Sequence, residues 1–350
     1  MYLDYFGLEK TPFKITPDPD LFFTGGNRGA SLEALLFAVN RGEGITKVVG
    51  EVGSGKTMLC RMVANSLEQT ADVVYLAYPS IGPKNVLHVI AKELAIDIEF
   101  HTHKVEVLQL ITQYLVDRHI QGRRVVLLVE EAQSMPQETL EEIRLLSNLE
   151  TGEDKLLQII LFGQPELDHN LKDVSIRQLK ERIATSLYLR DFESDDIHEY
   201  LNHRMHSAGY RGPEVFSESV AAAMLKPSQG LIRRLNILAD KALMVVYAKQ
   251  RRAVKVDDIR RAMGESTFSQ SWPIEPQKIL AAVFAVTLIL AFVVGNRMRS
   301  EVVGSSVVAV NSQIEAYPPE SIIENGQAEP FLGADVVDVN VGKDVRGDSD

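Results

Sequence analysis

The chain has 350 residues, 45% apolar and 24% charged, the balance of a globular protein, which excludes collagen-like, low-complexity and wholly disordered classes. A single cysteine, Cys60, excludes a disulfide scaffold and any multi-cysteine zinc site. The net charge of −11 argues against a dedicated duplex-DNA binder and is uneven: residues 279–350 carry 4 basic and 10 acidic side chains, net −6, which leaves −5 for residues 1–278.

The N-terminus, MYLDYFGLEKTPFKITPDPD, has no basic stretch followed by an apolar one, so it does not read as a signal peptide. Short β-branched runs then alternate with helical patterns. A helix is expected over Leu32–Arg41, a strand over Thr46–Val49, a helix over Lys56–Glu68 and a strand over Val73–Tyr78. Helices follow over Lys84–Leu94 and Val105–Ile120, a strand over Val125–Val129, a helix over Gln137–Leu149, and strands over Leu156–Phe162 and Thr185–Leu189. Leu127–Val129 and Ile159–Phe162 lie in nearly continuous apolar runs, as parallel strands buried on both faces do. The alternation predicts βαβ units in a doubly wound parallel sheet. From Glu193 the strands stop, and Asp195–Ala208, Ser219–Leu225, Ile232–Lys249 and Val256–Met263 read as an all-α domain.

Residues 266–278 form a polar linker with Pro273 and Pro276. Ile279–Gly295 is 17 residues without a charge. At about 1.5 Å per residue it spans about 26 Å, near the lower limit for a transmembrane helix. Lys278, Arg297, Arg299 and Trp272 flank it as interfacial residues would, and a buried core helix is the alternative. Residues 296–350 are acidic, with little periodicity, and are expected to be mostly disordered.

Gly50-Glu51-Val52-Gly53-Ser54-Gly55-Lys56-Thr57 matches the phosphate-loop pattern and lies between an expected strand and a helix that continues with Met58. Its glycines let successive N–H groups point at a phosphate, and the helix N-terminus adds partial positive charge. Lys56 would reach the β- and γ-phosphates, and Thr57 would ligate Mg²⁺. Val125–Val129 ends in Glu130 and Glu131 at the carboxyl edge of a buried strand, where open α/β sheets bind ligands. Glu130 would support Mg²⁺ and Glu131 would orient the attacking water. The alternative is that both acids merely open the next helix. Ser134–Gln137, however, supplies that opening as a capping box with Pro136 in the first turn. Gln164, at the tip of the neighbouring strand, could hydrogen-bond the γ-phosphate or the water, or belong to a plain strand-to-helix turn.

The set Tyr2–Leu8, Pro12-Phe13, Pro17–Pro19, Gly50–Thr57, Glu131–Gln133, Gly163–Leu167, Gln178–Ile183 and Gly230–Asn236 resembles the AAA+ ATPases of the ExeA/MshM type, linked to type II secretion and to mannose-sensitive (MSHA) type IV pilus assembly. The resemblance covers about residues 1–265. It implies an AAA+ α/β P-loop domain at 28–190 with ATP and Mg²⁺ as cofactors and an α-helical lid at 191–265. Residues 1–27 would then be a nucleotide-proximal segment. It implies that Arg182 is an arginine finger, with Arg177 the second choice and a plain surface charge the alternative. A finger acts across a subunit boundary and so implies a homo-oligomer, a ring or a dimer. Arg233 would be the second sensor on the lid, or else part of a solvated face. Phe13 and Pro17–Pro19 would pack near the adenine or in the core. One departure is Glu130, where relatives commonly carry Asp.

The expectation is therefore a membrane-anchored ATPase that drives or regulates assembly of a secretion or pilus system. Its expected partners are inner-membrane assembly proteins and the membrane, not nucleic acid. Residues 1–278 would face the bacterial cytoplasm, residues 279–295 would cross the inner membrane, and the tail would be periplasmic. The rivals are a slow nucleotide-gated switch and a DNA-associated ATPase of the transposition-helper kind. Cys60 reads as core, and the pairs His101/His103 and His203/His206 read as surface residues. Arg251, Arg252, Lys255, Arg260 and Arg261 read as a headgroup contact or a solvated helix face.

Overall fold

The computed structural model describes residues 2–99, 101–173 and 176–264. The expected membrane helix at 279–295, the linker and the tail lie outside the described residues. Among those described, no helix is long and apolar enough to cross a membrane.

The first elements are α1 (Tyr2–Phe6), a 3₁₀ turn (Pro19–Leu21), α2 (Arg28–Arg41), β1 (Ile45–Val49), α3 (Lys56–Leu67) and β2 (Ala71–Leu76). Then come α4 (Val86–Glu93), α5 (Lys104–Ile120), β3 (Arg124–Val129), α6 (Gln137–Leu146), β4 (Leu157–Gly163), α7 (Pro165–Asn170), α8 (Arg177–Arg182) and β5 (Ile183–Tyr188). The helices α9 (Ser194–Ser207), α10 (Glu218–Ser228), α11 (Ile232–Ala248) and α12 (Val256–Gly264) complete the described chain.

The five strands form one parallel sheet in the order β2-β3-β4-β1-β5. The period of two divides each central strand between two cores. Val125, Leu127 and Val129 of β3 face the core that α4, α5 and α6 cover, whereas Val126 and Leu128 face the core under α2 and α3. This double coverage is why β3 and β4 read as continuous apolar runs. Cys60 is fully buried in the α3 core, as expected.

A third core belongs to the lid. It joins Ile197, Leu201, Phe216, Met224, Leu235, Leu243 and Ile259 with Phe6, Leu8, Phe13 and Leu21. The N-terminal segment thus wraps the lid. Each of those anchors contributes on the order of 1.5–3 kcal/mol of apolar burial. Polar contacts fix its path: Arg204 Nε donates to the Pro12 carbonyl at 2.5 Å, and Asn236 Nδ2 to that of Lys14 at 3.1 Å.

Several expectations change here. Phe13 takes the core alternative, edge-on to Phe216 at 5.6 Å. His203 is half-buried and bonds the Phe22 carbonyl at 2.8 Å, with burial lowering its pKa, so it tethers the segment. Arg251 pairs with the buried Asp258 and Arg252 lies over Tyr5, which removes both from a free basic face. The capping box at Ser134 does not form. Residues 132–134 make a 3₁₀ turn, and α6 begins at Gln137 with Pro136 as its N-cap. Helix α10 runs past its expected end to include Pro227 in its last turn, where the Ser228 hydroxyl satisfies the Met224 carbonyl at 2.7 Å.

Candidate active site

The phosphate-loop pattern sits where β1 hands over to α3. Gly53 and Gly55 have φ of +85° and +104°, a left-handed path that L side chains rarely take. Gly53 also leaves room for the lid: a Cβ there would stand 2.8 Å from the Arg233 Cβ, and the Arg233 N–H donates to the Gly53 carbonyl at 3.1 Å. The N-terminus of α11 therefore rests directly on the loop.

Lys56 is buried, and its Nζ donates to the carbonyls of Gly50 (2.7 Å) and Glu51 (3.0 Å). Burial lowers its pKa, against the opposing pull of Glu131, Glu51 and Glu130. The ammonium is thus held over the loop without a direct carboxylate partner in the cleft. Arg28, 2% exposed, braces the loop from behind. Its Nη2 donates to the Ser54 carbonyl at 2.9 Å, and its guanidinium stands 4.3 Å above the Phe192 ring. Burial pushes its pKa down to about 10.

A cleft opens between loop, lid and N-terminal segment. Val52, Gly53 and Gly55–Met58 line it from the loop, Ile232, Arg233 and Asn236 from the lid, and Lys14–Pro17 with Phe22 and Phe23 from the N-terminal segment. Glu131 completes it from the tip of β3. Gly50, Glu51 and Ser54 shape the loop without lining the cleft.

Glu131 has φ +51° and ψ +38°, left-handed for a non-glycine residue. Strain of this kind costs on the order of 1–3 kcal/mol and collects at functional sites. Its Oε2 accepts from Gln164 Nε2 at 2.8 Å and from Gln133 Nε2 at 2.7 Å. The two strand tips singled out by sequence are therefore in contact. Glu130 accepts from the Tyr75 hydroxyl at 2.8 Å through Oε2, while its Oε1 is buried with no hydrogen-bond partner in the protein. Glu130 is not among the residues that line the cleft, whereas Thr57 is; the orphaned Glu130 oxygen is the hard donor type that a divalent cation takes. Among the described residues there is no separate cluster of three or more His, Cys, Asp or Glu suited to a metal.

Arg182 lies elsewhere, exposed at the C-terminal end of α8 and outside the cleft lining. Arg177 is also exposed and pairs with Glu181 at 3.0 Å. The buried Leu179 docks the helix that carries both.

A family profile described as "AAA domain" matches residues 39–171. General secretion pathway protein A of Aeromonas hydrophila is 33% identical over 265 residues, which make up 76% of this chain and 48% of that protein. Residues 39–171 belong to the AAA domain family. The chain spans about half the length of that relative. Its fold is similar to that of the Aeropyrum pernix ORC2 protein in ADPNP-ADP complexes (TM-score 0.55, 18% identity, 73% of this chain and 72% of that one). It is also similar to that of Cdc6p from Pyrobaculum aerophilum (TM-score 0.54, 16% identity, 71% of each chain). These likenesses concern the fold alone.

Sequence reasoning missed Arg28, Tyr75 and Gln133. Arg28 lies before the helix expected at Leu32 and Tyr75 in the expected strand Val73–Tyr78, and only the tertiary fold brings them to the loop and to Glu130. Gln133 lies in the Glu131–Gln133 motif, whose spacing alone assigns it no role.

Proposed function

We propose that this protein is a membrane-anchored ATPase that hydrolyses MgATP to drive or regulate assembly of a secretion or MSHA-like type IV pilus system. The observation that carries the hydrolase reading is the contact between Glu131 and Gln164 at the sheet edge, beside the cleft that Lys56 and Arg233 share. The relative's role in general secretion supports the setting.

In this reading the loop N–H groups and Lys56 bind the β- and γ-phosphates, which give the buried ammonium a direct anionic partner. Thr57 and Glu130 would hold Mg²⁺, which when bound neutralises phosphate charge. Glu131 orients and polarises the attacking water. Gln164 senses the γ-phosphate, and Arg233 reads it from the lid. Because its N–H is anchored on Gly53, a shift of the loop moves α11 directly. Arg182 of one subunit would reach the site of its neighbour, which is consistent with its exposure and its distance from its own cleft. ATP is cytoplasmic, so residues 1–278 would face the cytoplasm, residues 279–295 would cross the inner membrane, and the acidic tail would be periplasmic.

The test is steady-state ATPase of the full chain in detergent, with subunit mixing. Hydrolysis that rises with protein concentration is expected, as is partial recovery when inactive Lys56→Ala and Arg182→Ala subunits are combined. Tight MgATP binding without turnover at any concentration would replace the hydrolase with a nucleotide-gated switch.

A further inference from the structure

Gln133 is not among the residues that line the cleft, yet its side chain closes a ring of hydrogen bonds around Glu131. Its Nε2 donates to Glu131 Oε2 at 2.7 Å. Its Oε1 accepts the backbone N–H of Gln164 at 3.0 Å. Gln164 closes the ring by donating its own Nε2 to the same Glu131 oxygen at 2.8 Å. The chemistry of the partners fixes the orientation of both amides: a carboxylate only accepts and a backbone N–H only donates. The Gln133 carbonyl separately accepts from Asn170 Nδ2 at 2.9 Å, so the main chain is secured without the side chain.

The left-handed backbone at Glu131 makes this possible. It turns the chain back so that a residue two positions on reaches the carboxylate. The side chain that results spans two strand tips, β3 through the acid and β4 through the Gln164 amide. Among the described residues the side-chain donors to the Glu131 carboxylate are Gln133 and Gln164, and Gln133 also holds the backbone N–H of Gln164.

We infer that Gln133 is a positioning residue for hydrolysis: it sets the direction of the Glu131 carboxylate and couples it to the β4 tip that carries Gln164. This rests on the hydrolase reading above. Gln133 is not among the residues that line the cleft. Its loss should lower kcat without lowering nucleotide affinity, because Lys56, the loop and the lid are unchanged. A misdirected acid costs about 10- to 100-fold in rate.

Two substitutions separate the two halves of the side chain. Gln133→Met keeps its length and removes both bonds. Gln133→Glu keeps an acceptor for the Gln164 N–H but removes the donor to Glu131 and sets a like charge beside it. In the full chain, both should lose at least tenfold in kcat, with the KD for a fluorescent ATP analogue within twofold of wild type. Hydrogen exchange adds a readout that turnover does not: the Gln164 amide should exchange at least tenfold faster in Gln133→Met and stay protected in Gln133→Glu. Wild-type kcat in either variant, or affinity falling in step with kcat, would overturn the inference while leaving the hydrolase intact. Absence of hydrolysis in the wild type itself would overturn the hydrolase reading and the inference together.

Discussion

Replacing Gly230 by alanine should unseat the lid. Gly230 has φ +69°, and a Cβ on it would stand 2.3 Å from the Phe192 carbonyl oxygen and 2.7 Å from the Phe192 nitrogen. Both are main-chain atoms in the segment that joins β5 to α9, and the Phe192 N–H donates to the Gly230 carbonyl at 3.0 Å. No side chain can swing aside to relieve the contact. The left-handed backbone costs about 1–2 kcal/mol for an L residue, and overpacking against fixed atoms costs about 1–3 kcal/mol. Together these give about 2–5 kcal/mol, on the order of 10 °C in Tm for a domain of this size. The damage should also reach the loop, because the Phe192 ring lies under Arg28 and Arg28 holds the Ser54 carbonyl. Differential scanning calorimetry with a fluorescent ATP analogue would read both effects. Gly82→Ala is the control: nothing lies within 4 Å of its added Cβ, and the change should stay within about 0.5 kcal/mol. Gly230→Ala melting with the wild type, or Gly82→Ala falling as far, would refute the reasoning.

Lys56→Ala should abolish detectable ATP binding in equilibrium dialysis, since it removes the ammonium held over the loop; binding within tenfold of wild type would count against the phosphate site. Tyr75→Phe removes the donor to Glu130 and should raise the Mg²⁺ concentration for half-maximal turnover by about tenfold, while binding of nucleotide in EDTA stays constant. Asp258→Asn tests the far end of the lid. Burial works against that charge, but bonds from Lys249, Arg251 and the Lys255 N–H outweigh it and hold the carboxyl below its ordinary 3.8. The stabilisation is thus fully present above that value and is lost as the pH falls through the lower folded one. The substitution should cost about 1.5–3 kcal/mol at pH 7, a gap that chemical denaturation should see close as the pH drops below the ordinary carboxyl range.

The sheet was legible because β3 and β4, covered on both faces, leave no polar period to confuse them. The loop was legible because lysine and threonine after two glycines have no role in an ordinary turn. What stayed hidden has a common cause in long-range contact. The N-terminal segment has no helical or strand period; core packing is one of two readings for Phe13, but the burial of Phe6 and Leu21 in the lid core depends on partners far along the chain. Pro136 reads as a first-turn proline, but residues 132–134 form a 3₁₀ turn and Pro136 stands as the N-cap of α6, which starts at the expected Gln137. Arg28 precedes the helix expected at Leu32, and only the fold places its Nη2 2.9 Å from the Ser54 carbonyl. Glu131 and Gln164 were each found at a strand tip, but the residue that binds them together was not. An amide side chain bridging two strands leaves no periodic signal.

The central claim rests on Glu131, and Glu131→Gln tests it most directly. The substitution keeps the size of the side chain and removes the charge that polarises water. Single-turnover hydrolysis and equilibrium binding of MgATP should be measured on the same full-length preparation. The expected result is binding within a few-fold of wild type and hydrolysis slowed at least a hundredfold, in the range general-base losses reach, about 10²–10⁴. Hydrolysis at the wild-type rate would contradict the account.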